Sequence, residues 1–263
     1  MPTPKNTTTS FPRKPLLYGT VVVLAAGLLG FASYRATAPD GSPRNTGSAP
    51  AAEVSADPGA GVYPELAKLA RRDADDRLAT GRTDAPVVLI EYADFKCGYC
   101  GKFARDTEPE LVEEYVKDGT LRIEWRNFPI FGEESETAAR AAWAAGQQDR
   151  FWEFHRAAYA EGAKEKGFGK DRVRVLADEA GVEDLDRFMK DLDGPAARDA
   201  VTKDQEQAYG IGATSTPSFL INGRPIAGAQ PKETFTEAIE AAAEQARATT
   251  TGNAGNGARD AAE

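Results

Sequence analysis

Val87-Val88-Leu89-Ile90-Glu91-Tyr92-Ala93-Asp94-Phe95-Lys96-Cys97-Gly98-Tyr99-Cys100 is the stretch on which the chain turns. Val87 to Ile90 is a continuous apolar run of β-formers, which suits a central strand covered on both faces. Lys102 to Lys117 has helical composition, so the two thiols stand where a buried strand hands over to the start of a helix. The unpaired amides and positive dipole end of a helix favour an anion, and a thiol placed there ionises more readily than a free one. Cys97 and Cys100 are the only cysteines in 263 residues. Two thiols one turn apart can close a small, reducible disulfide, and the reading is a redox pair. A loop with two intervening residues constrains little of the unfolded chain, which argues against a merely structural bond. The same pair supplies half of a tetrahedral zinc shell, with only His155 to help within the chain, so neither a metal nor a cofactor is expected.

Glu91 interrupts the apolar run. One reading places it at the solvent-facing end of the strand; the other makes it a buried acid beneath the cysteines. Upstream, Tyr63 to Thr80 has the spacing of a short lead-in helix, with Leu66, Leu69 and Ala70 on one face, and Asp84-Ala85-Pro86 breaks the chain before the strand. Downstream, the cysteine helix is expected to kink near Pro109. Leu121-Arg122-Ile123-Glu124-Trp125 alternates apolar and charged residues, the pattern of a strand with one face inward.

Toward the N-terminus, residues 1–15 carry Lys5, Arg13 and Lys14 and no acid, and residues 16–34 are uncharged and rich in Val, Leu, Ala and Gly. A run of about 20 such residues suffices to cross a bilayer. The expectation is a signal anchor with a cytoplasmic N-terminus and an extracytoplasmic body, or a secreted protein if the segment is cleaved after Ala36-Thr37-Ala38. Residues 35–62 are Pro-, Gly- and Ala-rich and read as a flexible linker. The same composition marks 249–263 as a disordered tail, leaving 63–248 as one folded domain. A net charge of −9 and a pI near 4.9 offer no basic stripe for phosphates and exclude nucleic acid as a partner.

The second half begins with helices. Glu133 to Gln147 is alanine-rich. Phe151, Phe154, His155, Ala158 and Tyr159 share one helical face, where a lone histidine reads as a satisfied core residue. Three more helices are expected at 172–180, 182–192 and 195–209. The β pattern returns at Thr216-Pro217-Ser218-Phe219-Leu220-Ile221, followed by Asn222-Gly223, a strong hairpin signal. Pro225 in the return strand implies a sheet edge, and Pro231 opens a last helix with Phe235, Ala238, Ile239 and Ala242 on one side.

Strand, Cys-x-x-Cys opening a helix, then a distant Thr-Pro before a hairpin resembles the thioredoxin fold. The helical block at about 131–210 looks like the insertion of DsbA-type disulfide oxidoreductases. Asp84-Ala85-Pro86-Val87, Phe151-Trp152-Glu153-Phe154-His155 and Thr216 to Gly223 strengthen the likeness, which runs from about residue 80 to 245. The fold it implies is an α/β thioredoxin-like domain with a helical insertion, preceded by one transmembrane helix. It also implies that Cys97 is the exposed nucleophile and Cys100 the buried resolving thiol, joined as a Cys97–Cys100 disulfide in the oxidised state. Pro217 matches a proline held in cis, and Glu91 the buried acid under the pair. Gly98, Tyr99 and the backbone of Thr216 would meet an extended substrate segment.

The activity implied is disulfide exchange with exported cysteine-containing proteins, most readily oxidation of their thiols. A membrane or extracytoplasmic redox partner would recycle the pair. One departure bears on direction. The dipeptide is Gly98-Tyr99 where strongly oxidising members carry Pro-His, and Tyr99 brings no positive charge to the thiolate. Gly-Tyr with Thr before the proline resembles periplasmic isomerases instead, which leaves a reductase or isomerase-like donor, or a non-catalytic anchored protein with an inert disulfide, as the alternatives.

Overall fold

Seven consecutive buried residues, Val87–Ala93, make the central strand of a five-stranded mixed sheet. The computed structural model describes residues 61–260, so the segments expected at 1–15 and 16–34 and nearly all of the 35–62 linker lie outside the described residues. Among the described residues no helix is long and apolar enough to cross a membrane. The strands are β1 (Ala79–Thr80), β2 (Val87–Ala93), β3 (Leu121–Asn127), β4 (Ser218–Ile221) and β5 (Arg224–Ala227), in the order β1-β3-β2-β4-β5. β2 and β3 run parallel, with Glu91 opposite Trp125, and β4 lies antiparallel to β2, with Phe219 opposite Glu91.

Parallel neighbours need a crossover, and it is the cysteine-bearing segment: α2 (Gly98–Asp106), α3 (Glu108–Leu111) and a π-helical turn at Val112–Val116, after a first short helix α1 (Pro64–Ala67). The break between α2 and α3 falls at Thr107, with Pro109 in the first turn of α3, where its missing N–H costs nothing. Between β3 and β4 come α4 (Glu133–Gly146), α5 (Phe151–Ala158), α6 (Lys170–Glu179), α7 (Leu185–Asp193) and α8 (Pro195–Gly210). The chain closes with α9 (Lys232–Asp260).

The two faces of β2 serve different layers because strand side chains alternate. Val87 and Leu89 pack with Phe103, Leu111, Phe219, Phe235 and Ile239. Val88, Ile90 and Tyr92 pack with Leu66, Ala208 and Ile211 on the other side. Glu91 therefore shares the face of Val87 and Leu89, on the side that α2 covers. Alanines on α4, buried on most sides, allow the insertion helices to close around Phe154, Phe168 and Phe188, a core that also takes in Cys97 and Cys100. At the hairpin, Asn222 and Gly223 both have positive φ, 44° and 86°. A side chain at Gly223 would meet the Tyr63 carbonyl at 2.4 Å, so this turn needs glycine. β5, which carries Pro225, lies at the sheet edge.

Three expectations are corrected. The lead-in is helical only over Pro64–Ala67; it continues as turns into β1, which pairs with β3. The reason is the demand of β3, whose seven residues are all buried rather than half-exposed. Its charged face is covered by the lead-in. Glu124 accepts from the Arg71 and Arg72 amides at 2.9 and 2.8 Å, from Arg122 at 3.1 Å and from Arg126 at 2.7 Å. The third correction is the tail: α9 runs on to Asp260 instead of ending at 248. Helix propagation from an already packed stem needs no new nucleus, which carries the helix into weak formers.

Glu124→Ala is expected to leave Arg122 and Arg126 buried without their shared partner and to cost about 3–5 kcal/mol. Asp106→Ala, which breaks the exposed Lys102–Asp106 pair, should cost less than about 1 kcal/mol. Urea midpoints of the two variants, compared with the parent, check the contrast.

Candidate active site

The turn that presents the thiols is tied down before the helix begins. The Asp94 carboxylate accepts from the Lys96 amide at 2.8 Å and from the Ile130 and Phe131 amides at 2.7 and 3.2 Å. The Asp94 carbonyl accepts from the Cys97 amide at 3.0 Å. Asp94 thus clamps the end of β2 to the segment after β3 and sets Cys97 as the residue that caps α2. Its pattern, an aspartate two residues before the amide it binds, is a turn signal that sequence reasoning passed over.

Both cysteines are thiols in this structure. Cys100 is fully buried, and Cys97 keeps 6% of its surface exposed, less than the open nucleophile that the resemblance implies. The insertion closes over it: a cavity of about 150 Å³ opens onto Cys97, walled by Phe95, Gly98, Gly101, Tyr159 and Lys164. Tyr99, by contrast, is 68% exposed beside the thiol, and Gly98 is exposed. The Cys97 thiol donates to the Thr216 carbonyl at 3.2 Å, and the Thr216–Pro217 peptide is cis. The structure therefore brings together Cys97, Gly98, Tyr99, Cys100, Thr216 and Pro217 on one side of the pair, and Glu91 below it.

The two thiols are driven apart in acidity. A hydrogen bond from the Cys100 thiol, assisted by the Tyr99 and Cys100 amides at the start of α2, outweighs desolvation and lowers Cys97 to about 6. The Thr216 hydroxyl, unpartnered in the dithiol form, can turn to donate to the sulfur once Cys97 ionises. Cys100 is pushed up, chiefly by burial, then by the Cys97 sulfur and the Glu91 charge. Glu91 is fully buried, which decides between its two readings; neither of its carboxylate oxygens has a hydrogen-bond partner. Burial, and then the charge of Glu108, push its pKa well up, so it is held protonated.

Sequence reasoning missed Glu108 and Tyr159. Glu108 is buried although it sits between the exposed acids Asp106 and Glu110, and nothing local marks it. Tyr159 stacks on Phe95 with ring centres 4.9 Å apart, and its buried hydroxyl has no partner. His155 lies in the core as expected but is not satisfied: neither ring nitrogen has a hydrogen-bond partner. Among the described residues no group of His, Cys, Asp and Glu is placed to hold a metal.

Residues 73–241 match the family model described as thioredoxin. The chain is 32% identical over 148 residues to a probable disulfide bond formation protein D of Bacillus cereus, covering 54% of this chain and 68% of that protein. Among solved structures it is similar to BdbD from Bacillus subtilis in its oxidised form, at a TM-score of 0.60 and 22% identity over 65% of this chain and 95% of that one. A thioredoxin-like oxidoreductase from Silicibacter pomeroyi is similar at a TM-score of 0.58 and 27% identity, over 65% of this chain and 94% of that one.

Alkylation of Cys97 in the reduced protein is expected to rise as pH climbs through about 6 and to level off near neutrality. Because the folded pKa is depressed, the ionised thiol's contribution to stability is complete above the unfolded thiol's pKa and is lost as pH falls through about 6. In Cys100→Ala the largest cause of the depression is gone, so the alkylation midpoint should move upward. An unmoved midpoint would assign the depression to Thr216 and the helix amides.

Proposed function

Because the chain belongs to the thioredoxin family, as a DsbA-like thiol–disulfide oxidoreductase, we propose that it oxidises thiols of exported proteins through Cys97 and Cys100. The observation that supports this direction is the unequal placement of the two sulfurs: Cys97 caps α2 and reaches the Thr216 carbonyl at 3.2 Å, whereas Cys100 is fully buried, which draws the first toward thiolate and holds the second as a thiol. A thiolate that is stable at neutral pH favours the reduced protein, and whatever favours the reduced form makes the disulfide a better oxidant.

In the oxidised state a substrate thiolate attacks the Cys97 sulfur. A substrate–Cys97 bond forms, the Cys97–Cys100 bond breaks, and Cys100 leaves as a thiolate that takes its proton from Glu91. A second substrate thiolate then attacks the substrate sulfur, and Cys97 leaves. Its low pKa makes it the better leaving group. The substrate ends with a disulfide and the protein with two thiols, holding two electrons that a membrane or extracytoplasmic redox partner must remove. Thr216, cis to Pro217, offers its carbonyl beside Cys97, where an extended substrate segment pairs strand-fashion. Gly98 and the exposed Tyr99 form the surface that the substrate meets first. Residues 16–34 serve as the membrane anchor, with the N-terminus cytoplasmic and the catalytic body outside; cleavage there would release a secreted form.

A second reading rests on Gly98-Tyr99. No cation stands between the thiols, and a thiol near 6 is well above the about 3.5 of the strongest oxidants. That mid-range value also suits an isomerase-like donor.

Cys97→Ala is expected to abolish turnover, and Cys100→Ala to accumulate mixed disulfides with exported proteins. Equilibration of the pair in graded glutathione buffers separates the directions. A potential near or above that of glutathione supports the oxidase. One between glutathione and thioredoxin supports the donor, and one far below both, with no trapped partner, leaves an inert disulfide.

A further inference from the structure

Three ionisable side chains lie buried on the α2 side of the sheet without hydrogen-bond partners that account for them. Both oxygens of Glu91, Oε1 of Glu108 and both ring nitrogens of His155 are unpartnered. Buried polar atoms left in this state cost about 1–3 kcal/mol each, so three such residues need a reason. They share one region, since Glu91 pairs in register with Trp125, whose ring centre lies 5.1 Å from that of His155. His155 Nδ1 lies 3.6 Å from Glu108 Oε2. The contact is between a neutral acid and a neutral imidazole: burial raises Glu108 and, with Arg156, lowers His155 to about 3. Rings of Phe95, Trp125, Phe151, Trp152 and Tyr159 surround the imidazole. Glu108 also lines a groove of about 520 Å³ between the α2–α3 segment and α5, together with Arg105, Val112, Trp152 and Arg156.

We propose that Glu108, held by His155, links the buried Glu91 to this groove and so completes the path by which Cys100 exchanges its proton with solvent. The inference rests on the oxidoreductase reading above. When the Cys97–Cys100 bond breaks, the Cys100 thiolate takes a proton from the Glu91 carboxyl. The resulting Glu91 carboxylate is reprotonated by Glu108, and Glu108 by water in the groove. One proton enters from solvent for each Cys100 thiolate formed, and the reverse course returns it. His155 is a positioning residue: its Nδ1, at 3.6 Å, stands just outside hydrogen-bond reach of Glu108, and on a small approach it would accept from the protonated acid in one neutral tautomer and donate to the carboxylate in the other. The groups that face the pair are Glu91 from β2, Arg105 from α2, Arg156 and its partner Glu153 from α5, and Tyr159, whose ring packs edge-on against His155.

Full-length oxidised protein, mixed with a dithiol peptide in single-turnover stopped flow across pH, tests the path. Glu108→Gln is expected to slow the step at least about tenfold near neutrality, the low end of a general acid's contribution being about a hundredfold. It should also enlarge the solvent isotope effect while leaving the Cys97 alkylation midpoint unchanged. Glu108→Asp should recover part of the rate, and His155→Phe should give a smaller loss. Because a buried acid kept neutral carries a penalty that grows above the unfolded carboxyl's pKa, Glu108→Gln should fold at least as stably as the parent at neutral pH. A parent-like rate in Glu108→Gln, or a loss that tracks a moved Cys97 midpoint, overturns the path. If Glu108→Gln does not fold, a His155→Phe protein with the parent's rate and isotope effect overturns it equally. A parent protein that exchanges no disulfide at all would instead refute the reading beneath it, whereas normal trapping by Cys100→Ala with an unaffected Glu108→Gln removes the path alone.

Discussion

The contact between the Cys97 sulfur and the Thr216 carbonyl, 3.2 Å across residues 119 apart in the chain, is the constraint that the site depends on. It exists because β2 and β4 are neighbours, and β4 can reach β2 only after the five insertion helices have been folded away to the side. Each half of the contact is prepared locally. Asp94 fixes the turn that ends β2, and the Thr216 carbonyl stands just before β4, facing the sulfur. In the proposed function the two halves act together, because the Thr216 backbone that receives the thiol is also where a substrate strand would pair.

From that contact the electrostatics follow. Cys97 caps α2 and is reached by its first amides, whereas Cys100, one turn in, is sealed by the insertion core. Two chemically identical side chains acquire opposite tendencies, one toward thiolate and one toward thiol. The same burial that holds Cys100 neutral also holds Glu91 and Glu108 neutral, so the region under the pair is a store of protons rather than of charge. The sheet accommodates this on one face of β2 and β3 only. On the opposite face of β3, Arg122, Glu124 and Arg126 form a buried ion-pair network whose remaining acceptor positions on Glu124 are taken by the lead-in amides.

Much of this was legible before any coordinates. The strand ending in Cys-x-x-Cys, the Asn222-Gly223 hairpin and the amphipathic helices are short-range patterns, in which each residue's role is set by neighbours a turn or a pleat away. The lead-in was misjudged because its helical spacing competes with a distant demand, the need of Glu124 for amide donors. The cover over the charged face of β3 is hidden from the sequence for the same reason: alternation tells which side a residue points to and not what covers that side.

The residues alone place the only two cysteines at a strand–helix junction and order the elements around them, because periodicity, turn chemistry and helix ends are written locally. Only the tertiary structure decided that Glu91 is a buried acid, that Glu108 and His155 join it, and that Cys97 is almost covered. Burial is a property of what packs against a residue, and part of that cover comes from elements distant in the chain: Phe95 and Trp125 over His155, Trp152 and Arg156 beside Glu108. A glutamate looks the same in a list whether water or a phenylalanine stands beside it, and its chemistry does not.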